Sequence, residues 1–122
     1  MSSPVGTVVA SHHATYLRET LGSLLAQTLP SEILVVDDAS EGGESRRVAR
    51  ELGIRCIRST TSLGGAEARN VGIDALHHPW ILNFDHDNVA EPKLVERLVA
   101  AARRRSRTGI TYCTPRQIGM AH

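Results

Sequence analysis

Cysteine is scarce in this 122-residue chain, and charge of either sign is nearly balanced. Only two cysteines are present, Cys56 and Cys113, and neither belongs to a Cys-x-x-Cys pair. Two isolated cysteines exclude a disulfide framework and predict buried, reduced thiols in a cytoplasmic protein. The formal net charge is +1, whereas a nucleic-acid-binding protein is expected to carry a strong basic excess. We therefore expect no nucleic-acid partner.

Long apolar runs are also missing. Residues 1–6 have neither a basic start nor an extended apolar stretch, and no segment approaches the length of a transmembrane helix. The one basic run, Arg103–Arg105 with Arg107, closes a predicted helix, where positive charge complements the helix dipole. The sequence therefore predicts a soluble protein without a membrane span, and its length fits one domain.

Short apolar runs alternate with segments of helical periodicity along the chain. The runs cover residues 5–10, 33–36, 54–57, 80–84 and 110–113, and they are typical of strands buried on both faces. The first predicted helix ends before Pro30, the second covers residues 44–52 and is followed by Gly53, and the third ends at residues 77–79. The fourth begins with Pro92 at its first helical position. This order predicts a Rossmann-like three-layer α/β/α fold with a mainly parallel sheet.

Polar residues follow four of the predicted strands. They are Ser11-His12-His13 after the first, Asp37-Asp38 after the second, Gly64-Gly65 after the third, and Asp85-His86-Asp87-Asn88 after the fourth. Ligands bind outside the carboxyl ends of the strands in an open parallel sheet. We therefore expect these residues to lie at one edge and to form a ligand site.

The chemistry of that edge favours a metal-bound phosphate. Two acidic pairs side by side repel each other unless a divalent cation neutralises them, and Mg²⁺ typically combines one or two carboxylates with substrate phosphates. The Gly64-Gly65 step permits close backbone approach, and a following helix amino terminus favours an anion. Each piece also has a simpler interpretation. Asp37-Asp38 could cap a helix or form a turn, and His12-His13 is more often a solvated loop pair.

Four segments, in order, resemble motifs of glycosyltransferase family 2, whose enzymes have the GT-A fold. Residues 17–28, LRETLGSLLAQT, are similar to the family's first helix and its Gln-Thr ending. Residues 32–40, which contain VVDDAS, resemble its second strand and acidic turn. Residues 64–73, GGAEARNVGI, resemble its Gly-Gly…Ala-Arg-Asn-x-Gly helix, and FDHDN at 84–88 stands where the family has an Asp-x-Asp motif. The resemblance covers nearly the whole chain and implies the nucleotide-binding half of the GT-A fold.

The resemblance implies transfer of a sugar from a nucleotide-diphosphate-sugar donor to an acceptor hydroxyl, with Mn²⁺ or Mg²⁺ as cofactor. By the same resemblance, Asp38 accepts hydrogen bonds from the base, and Asp37 supports that turn. Asp85 faces the ribose or the sugar, and Asp87 coordinates the metal together with Asp85. The implied nucleotide-sugar-binding set is Ser11, Asp37, Asp38, Arg69 and Asp85. A UDP-sugar is the favoured donor, while the acceptor, the oligomeric state and the catalytic residues are left open.

Two departures from the family pattern affect these expectations. The family usually has a Pro-x-Tyr-Asn-like turn after its first strand, whose aromatic residue packs on the base, and here the turn reads Ser11-His12-His13. The chain also ends where the family's acceptor-binding half would begin. We therefore expect residues 1–122 to be a single domain truncated before that half, without a counterpart of the general-base carboxylate. Among nearby side chains, the imidazoles of His12, His13 and His86 are the only candidates for a general base in its place.

Other protein classes fit parts of the sequence. Residues 80–89 match the strand-then-Asp-x-Asp pattern of haloacid dehalogenase-like phosphatases, but that motif belongs on a first strand, and the only lysine, Lys93, lies on a predicted helix. A nicotinamide-binding domain needs a glycine-rich turn after the first strand, which is absent here. A non-catalytic nucleotide-binding module is the more serious alternative, and turnover would distinguish it from an enzyme.

Overall fold

A computed structural model describes residues 3–104 as a four-stranded parallel sheet covered by helices on both faces. The strands are β1 (Val5–Ser11), β2 (Glu32–Asp38), β3 (Arg55–Ser59) and β4 (Trp80–Asn83), in the order β3-β2-β1-β4. The helices are α1 (Leu17–Leu25), α2 (Glu44–Glu51), α3 (Gly65–Ala75) and α4 (Leu94–Arg104), with a 3₁₀ helix at Glu41–Gly43. The predicted three-layer α/β/α fold is confirmed. The predicted fifth strand, residues 110–113, lies outside the described residues.

Alternate residues of the central strands supply the two halves of the core. Val9 and Val35 face α1 and α2, where they pack with Leu17, Leu21 and Leu24. Val8, Leu34 and Val36 face the opposite side and pack against α3. Helix α4 joins the α1 side through Val95 and Val99, which contact Val5. The period-two alternation of each strand thus explains why helices cover both faces.

The prediction that all strands are buried on both faces holds only for the centre of the sheet. Every residue of β1 is buried except the half-buried Ala10, and β2 is buried from Ile33 to Asp38. In contrast, β3 and β4 are mostly half-buried. Within residues 3–104 these two strands have a neighbour on one side only, so solvent reaches them from the other.

Two predicted boundaries are wrong. Asp37 and Asp38 are the last residues of β2, because Asp37 is paired with Ser11 of β1 and Asp38 with Ser59 of β3. The fourth helix begins at Leu94 and not at Pro92. The Pro92 carbonyl accepts a hydrogen bond from the Thr28 backbone N–H at 2.8 Å, which ties this turn to the segment after α1.

The helices are short compared with a membrane span. The longest, α3 and α4, each have 11 residues as described, whereas a bilayer-spanning helix needs about 20. Within residues 3–104, no helix combines the length and apolar character that crossing a membrane requires.

Cys56 is a free, half-buried thiol on β3. Burial raises the pKa of this thiol above its ordinary value of 9.0, with a further contribution from the charge of Asp37. The thiol is therefore protonated at neutral pH and is a poor nucleophile. Cys113 lies outside the described residues, and the cytoplasmic location inferred from the two cysteines stays a prediction.

A buried carboxylate at the end of β2 connects β2, α2 and β3. Asp37 has no solvent-exposed surface. It accepts hydrogen bonds from the Ser40 backbone N–H at 2.9 Å, the Ser40 hydroxyl at 2.8 Å and the Arg46 backbone N–H at 3.0 Å. The Arg58 guanidinium of β3 donates a fourth at 2.8 Å. Burial by itself would raise the pKa of Asp37, but these hydrogen bonds outweigh it and lower that pKa below 3.8.

Helix α3 approaches the sheet at Gly72. A Cβ atom at this position would lie 2.4 Å from Val8 Cγ1 and 3.1 Å from Val36 Cγ2. No larger residue fits without displacing the helix or the β1 side chain. This contact fixes the height of α3 above the sheet and hence the position of its first turn.

We expect Gly72→Ala to lower the free energy of unfolding by about 1–3 kcal/mol through overpacking. Gly22→Ala on α1 is the matched control, since a Cβ there meets nothing within 4 Å. In a helix, this control substitution should raise the free energy of unfolding by about 0.5–1 kcal/mol, because alanine reduces the conformational entropy of the unfolded chain. Urea unfolding of both variants measures the difference. Equal effects of the two substitutions would contradict the close approach of α3.

We expect Asp37→Ala to lower the free energy of unfolding by about 3–5 kcal/mol, because it leaves buried partners unpaired. Glu51→Ala is the control, since its ion pair with Arg18 at 2.6 Å is half-exposed on both sides. Pairs of that kind contribute about 1 kcal/mol or less. Denaturant unfolding of the two variants at neutral pH provides the comparison, and losses of equal size would contradict the anchoring role of Asp37.

The wild-type stabilisation from Asp37 has a defined pH dependence. Because the folded-state pKa is lowered, this stabilisation is complete above the ordinary pKa of 3.8 and is lost as the pH falls through the folded-state value. Unfolding of Asp37→Ala should lack this acidic component.

Candidate functional site

The carboxyl ends of β1, β2 and β4 surround a cavity of about 280 Å³ together with the first turns of α3. Its lining residues are Ala10, Ser11, His12, Asp38, Gly65, Arg69, Phe84, Asp85, His86 and Asp87. β1 pairs with β2 on one side and with β4 on the other. The strand order therefore reverses at β1, which is where open α/β sheets bind ligands. Five of the six predicted site residues line this cavity, and Asp37 does not.

The two aspartates at the end of β2 have opposite directions. The Asp37 side chain lies on the same face of β2 as Val35 and accepts hydrogen bonds from residues at the start of α2, as described above. Asp38 follows the face of Val36, and its two carboxylate oxygens accept the backbone N–H groups of Leu63 at 2.7 Å and Gly64 at 3.1 Å. Adjacent residues of a strand point to opposite faces. The pair therefore divides into one carboxylate inside the protein and one at the cavity.

The backbone after Asp38 is held in an uncommon conformation. Ala39 has a φ of 57°, in the left-handed region, and its N–H donates to the Ser59 carbonyl at 2.8 Å. A non-glycine residue in this region costs about 1–3 kcal/mol and requires support from its surroundings. The bonds to Asp37 and Ser59 supply that support, so the direction of Asp38 is fixed by the fold.

Ser11 forms part of the cavity floor. It is 1% exposed, and its hydroxyl donates to the His13 carbonyl at 2.7 Å and lies 2.9 Å from the Ser45 hydroxyl. These bonds hold the turn after β1 against the start of α2. Ser11 thus fixes the backbone of the turn that lines the base of the cavity.

The start of α3 supplies the positive side of the cavity. Gly65 is the first residue of the helix, and Arg69 follows one turn later. The Arg69 guanidinium reaches back to within 3.6 Å of the position that a Cβ at Gly65 would occupy. Within residues 3–104 it makes no hydrogen bond or ion pair. A helix amino terminus beside an unpaired guanidinium is a suitable environment for an anion.

Two carboxylates lie on the opposite side, after β4. Asp85 is exposed and accepts a hydrogen bond from the Asn88 amide at 3.4 Å. Asp87 is half-buried and has no hydrogen bond within the described part of the chain. Their loop is anchored by the Phe84 N–H, which donates to the Val8 carbonyl at 3.0 Å. Oxygen ligands with free lone pairs suit a hard divalent cation, so this donor set fits Mg²⁺ or Mn²⁺.

Three histidines form a cluster at the wall of the cavity, and we call His12, His13 and His86 the histidine cluster. Their ring centroids lie 4.5 Å, 4.5 Å and 4.9 Å apart. Burial lowers the pKa of His86, and the neighbouring His13 lowers it further, against the opposite effect of Asp87. His86 is therefore neutral at pH 7. The sequence interpretation of His12-His13 as a solvated pair is wrong for His13, which is half-buried.

Sequence reasoning placed these three histidines at one edge of the sheet, but it did not predict the contacts between their rings or the role of Arg58. The signal for the cluster was that three of the six histidines follow β1 and β4, which are neighbours in the sheet. Arg58 could not be found in the same way, because its partner depends on the register of β3 against β2. That register places Arg58 opposite Asp37.

Known proteins resemble the chain in sequence and in fold. An uncharacterized glycosyltransferase of Rickettsia conorii is 35% identical over 89 residues, covering 70% of this chain and 15% of the relative. The succinoglycan biosynthesis protein ExoO of Rhizobium meliloti is 30% identical over 99 residues, covering 78% of this chain and 28% of the relative. The chain thus spans less than a third of the length of these two relatives.

A solved structure supports the fold assignment. The S. aureus TarS fragment 1-349 in complex with UDP superposes with a TM-score of 0.72 at 23% identity, covering 85% of this chain and 32% of that one. At this identity the likeness shows the fold alone, and it agrees with the GT-A architecture.

The family itself is assigned by a sequence profile. The profile described as Glycosyl transferase family 2 matches residues 7–121. That match includes β1 from Thr7 onward, both aspartates of β2, the whole of α3 and the Asp-x-Asp segment after β4. It decides against the haloacid dehalogenase-like phosphatases as the origin of that segment. The chain belongs to glycosyltransferase family 2.

Proposed function

We propose that this chain binds the nucleotide-sugar donor of a sugar-transfer reaction in the cavity at the carboxyl edge of the sheet. The observation that carries the proposal is the convergence of Asp38, Asp85, Asp87 and Arg69 on one cavity at the point where the strand order reverses. Acidic groups on two sides and a cationic group on the third match a ligand with a neutral base, a sugar and a diphosphate.

The base would lie toward Asp38. A carboxylate offers about four acceptor positions, and Asp38 uses two of them for the Leu63 and Gly64 N–H groups. The remaining lone pairs are available to N–H donors of a base. Because those two backbone bonds fix the carboxylate in advance, binding the base costs little ordering of this side chain.

The diphosphate would lie between Arg69 and the carboxylates after β4. Three carboxylates and one guanidinium line the cavity, so a diphosphate would be repelled unless a cation accompanied it. Asp87 and Asp85 would hold Mn²⁺ or Mg²⁺. When bound, such an ion stabilises the charge that develops on the leaving phosphate. Arg69 and the amino terminus of α3 would bind the phosphate oxygens from the other side.

The proposed reaction is displacement at the anomeric carbon of the donor by an acceptor hydroxyl. The new glycosidic bond forms as the bond to the diphosphate breaks, and the nucleoside diphosphate leaves with that electron pair. The acceptor hydroxyl gives its proton to a general base, whose identity the six assigned site residues leave open. Asp37 would act as a positioning residue, since it touches only protein groups, and Ser11 would position the turn after β1. Binding without transfer is the alternative, and turnover with a donor and an acceptor panel separates the two.

We expect UDP and Mn²⁺ to stabilise the fold more together than the sum of their separate effects. The ion needs phosphate oxygens to complete its coordination, and ligands that bind only the native state raise its stability by mass action. Thermal melts with each ligand, with both, and with both plus a chelator measure this. A purely additive response, or none, would contradict the metal-bridged site. UDP is the first nucleotide to test because the TarS fragment was solved with it.

We expect Asp87→Ala and Asp38→Ala to differ in their dependence on metal. Asp87→Ala should remove the metal-dependent part of UDP binding, since it removes a ligand of the ion. Asp38→Ala should weaken binding with or without metal, by about 1.5–3 kcal/mol, the contribution of a charge-assisted hydrogen bond. Asp74→Ala, an exposed aspartate of α3 away from the cavity, is the control. Titration calorimetry in the presence and absence of Mn²⁺ distinguishes the variants, and the same metal dependence in both would refute the assigned roles.

A further inference from the structure

The histidine cluster brings together two loops that are distant in sequence. His12 and His13 follow β1, and His86 follows β4. The Nε2 atoms of His13 and His86, 73 residues apart, lie 3.2 Å from each other. One potential ligand atom from each of the three rings lies within 4.8 Å of the other two. The three imidazoles are therefore close enough to bind one metal ion together.

The spacing of these nitrogen atoms suits a tetrahedral metal ion. Zinc binds imidazole nitrogen at about 2.0–2.1 Å, so two such ligands of a tetrahedral site lie about 3.3 Å apart. The His13–His86 distance of 3.2 Å is already close to this value. His12 is exposed, and its ring lies next to both of the others, so it can supply the third ligand.

One ring nitrogen of the cluster lacks a partner. Nδ1 of His13 is buried and has no hydrogen bond within residues 3–104. An ion bound between the Nε2 atoms of His13 and His86 would leave the ring proton of His13 on this buried nitrogen.

The surroundings of the cluster fit a divalent charge. His12 and His86 line the same cavity as Asp85 and Asp87. These nearby carboxylates would compensate the positive charge of an ion held by the three imidazoles. Imidazole prefers Zn²⁺, Ni²⁺, Co²⁺ and Cu²⁺, whereas Mg²⁺ prefers oxygen.

We propose that His12, His13 and His86 bind a divalent transition metal ion of the zinc type, with its fourth position open to the cavity. The ion would connect the β1–α1 and β4–α4 loops across the reversal point of the sheet. This site is separate from the Mn²⁺ or Mg²⁺ site of the proposed function and needs no nucleotide. The Thr20 hydroxyl, which donates to the His86 carbonyl at 3.0 Å, already holds the second loop in place.

The test is a Zn²⁺ titration of the full chain without a histidine tag, in competition with a chromophoric chelator and in the absence of nucleotide. We expect one bound equivalent. His12→Asn should weaken binding by about tenfold or more, because losing a ligand costs at least as much as losing a supporting contact. Because His12 is exposed, this variant is expected to fold. His77→Asn is the matched control, an exposed histidine outside the cluster, and should bind as the wild type does.

Co²⁺ gives a second readout, because four-coordinate Co²⁺ bound by imidazoles absorbs strongly in the visible region. Mg²⁺ in excess should not displace the bound Co²⁺. Absence of Zn²⁺ binding, equal affinity of His12→Asn and His77→Asn, or loss of binding only in Asp85→Asn and Asp87→Asn would each overturn the proposal. If UDP and Mn²⁺ did not stabilise the fold, the zinc-type site would be unaffected. If Zn²⁺ did not bind, the proposed UDP and Mn²⁺ site would likewise be unaffected.

Discussion

The carboxylate of Asp37 is the interaction on which the rest of the site depends. It is buried at the end of β2, and its four hydrogen bonds reach the turn before α2, the first turn of α2 and the Arg58 side chain of β3. A carboxylate with no exposed surface is stable only when its lone pairs are satisfied in this way. The arrangement leaves Asp37 no capacity for a ligand, and it fixes the backbone from which Asp38 projects.

Asp38 connects the end of β2 to the start of α3. Its carboxylate binds the backbone N–H groups of Leu63 and Gly64, immediately before α3. The close contact of Gly72 with Val8 and Val36 sets the same helix against the sheet. The position of Arg69 therefore follows from constraints at both ends of α3. On this side of the cavity, backbone N–H groups fix the direction of the Asp38 carboxylate.

The other side of the cavity has a different character. The residues after β4 include carboxylates and an imidazole with few internal partners, and the turn after β1 adds two more imidazoles. Oxygen and nitrogen ligands therefore occupy adjacent parts of one wall, and they select different metal ions. Hard ions suit the aspartates, and ions of the zinc type suit the histidine cluster. Ligand chemistry, and not distance alone, keeps the two proposed sites distinct.

The sequence by itself determined the order of the layers and the edge at which polar residues collect. Apolar periodicity and the right-handed crossover rule leave few topologies, and the carboxyl ends of parallel strands meet at one edge. Ser11, Asp38, Asp85 and Asp87 could therefore be assigned to one site before the structure was known, and the family resemblance added Arg69. Only the tertiary structure decided that Asp37 and Asp38 point to opposite faces, because that depends on β2 continuing through both residues. It alone paired Arg58 with Asp37 and His13 with His86, since register and side-chain packing act between residues that are far apart in the chain.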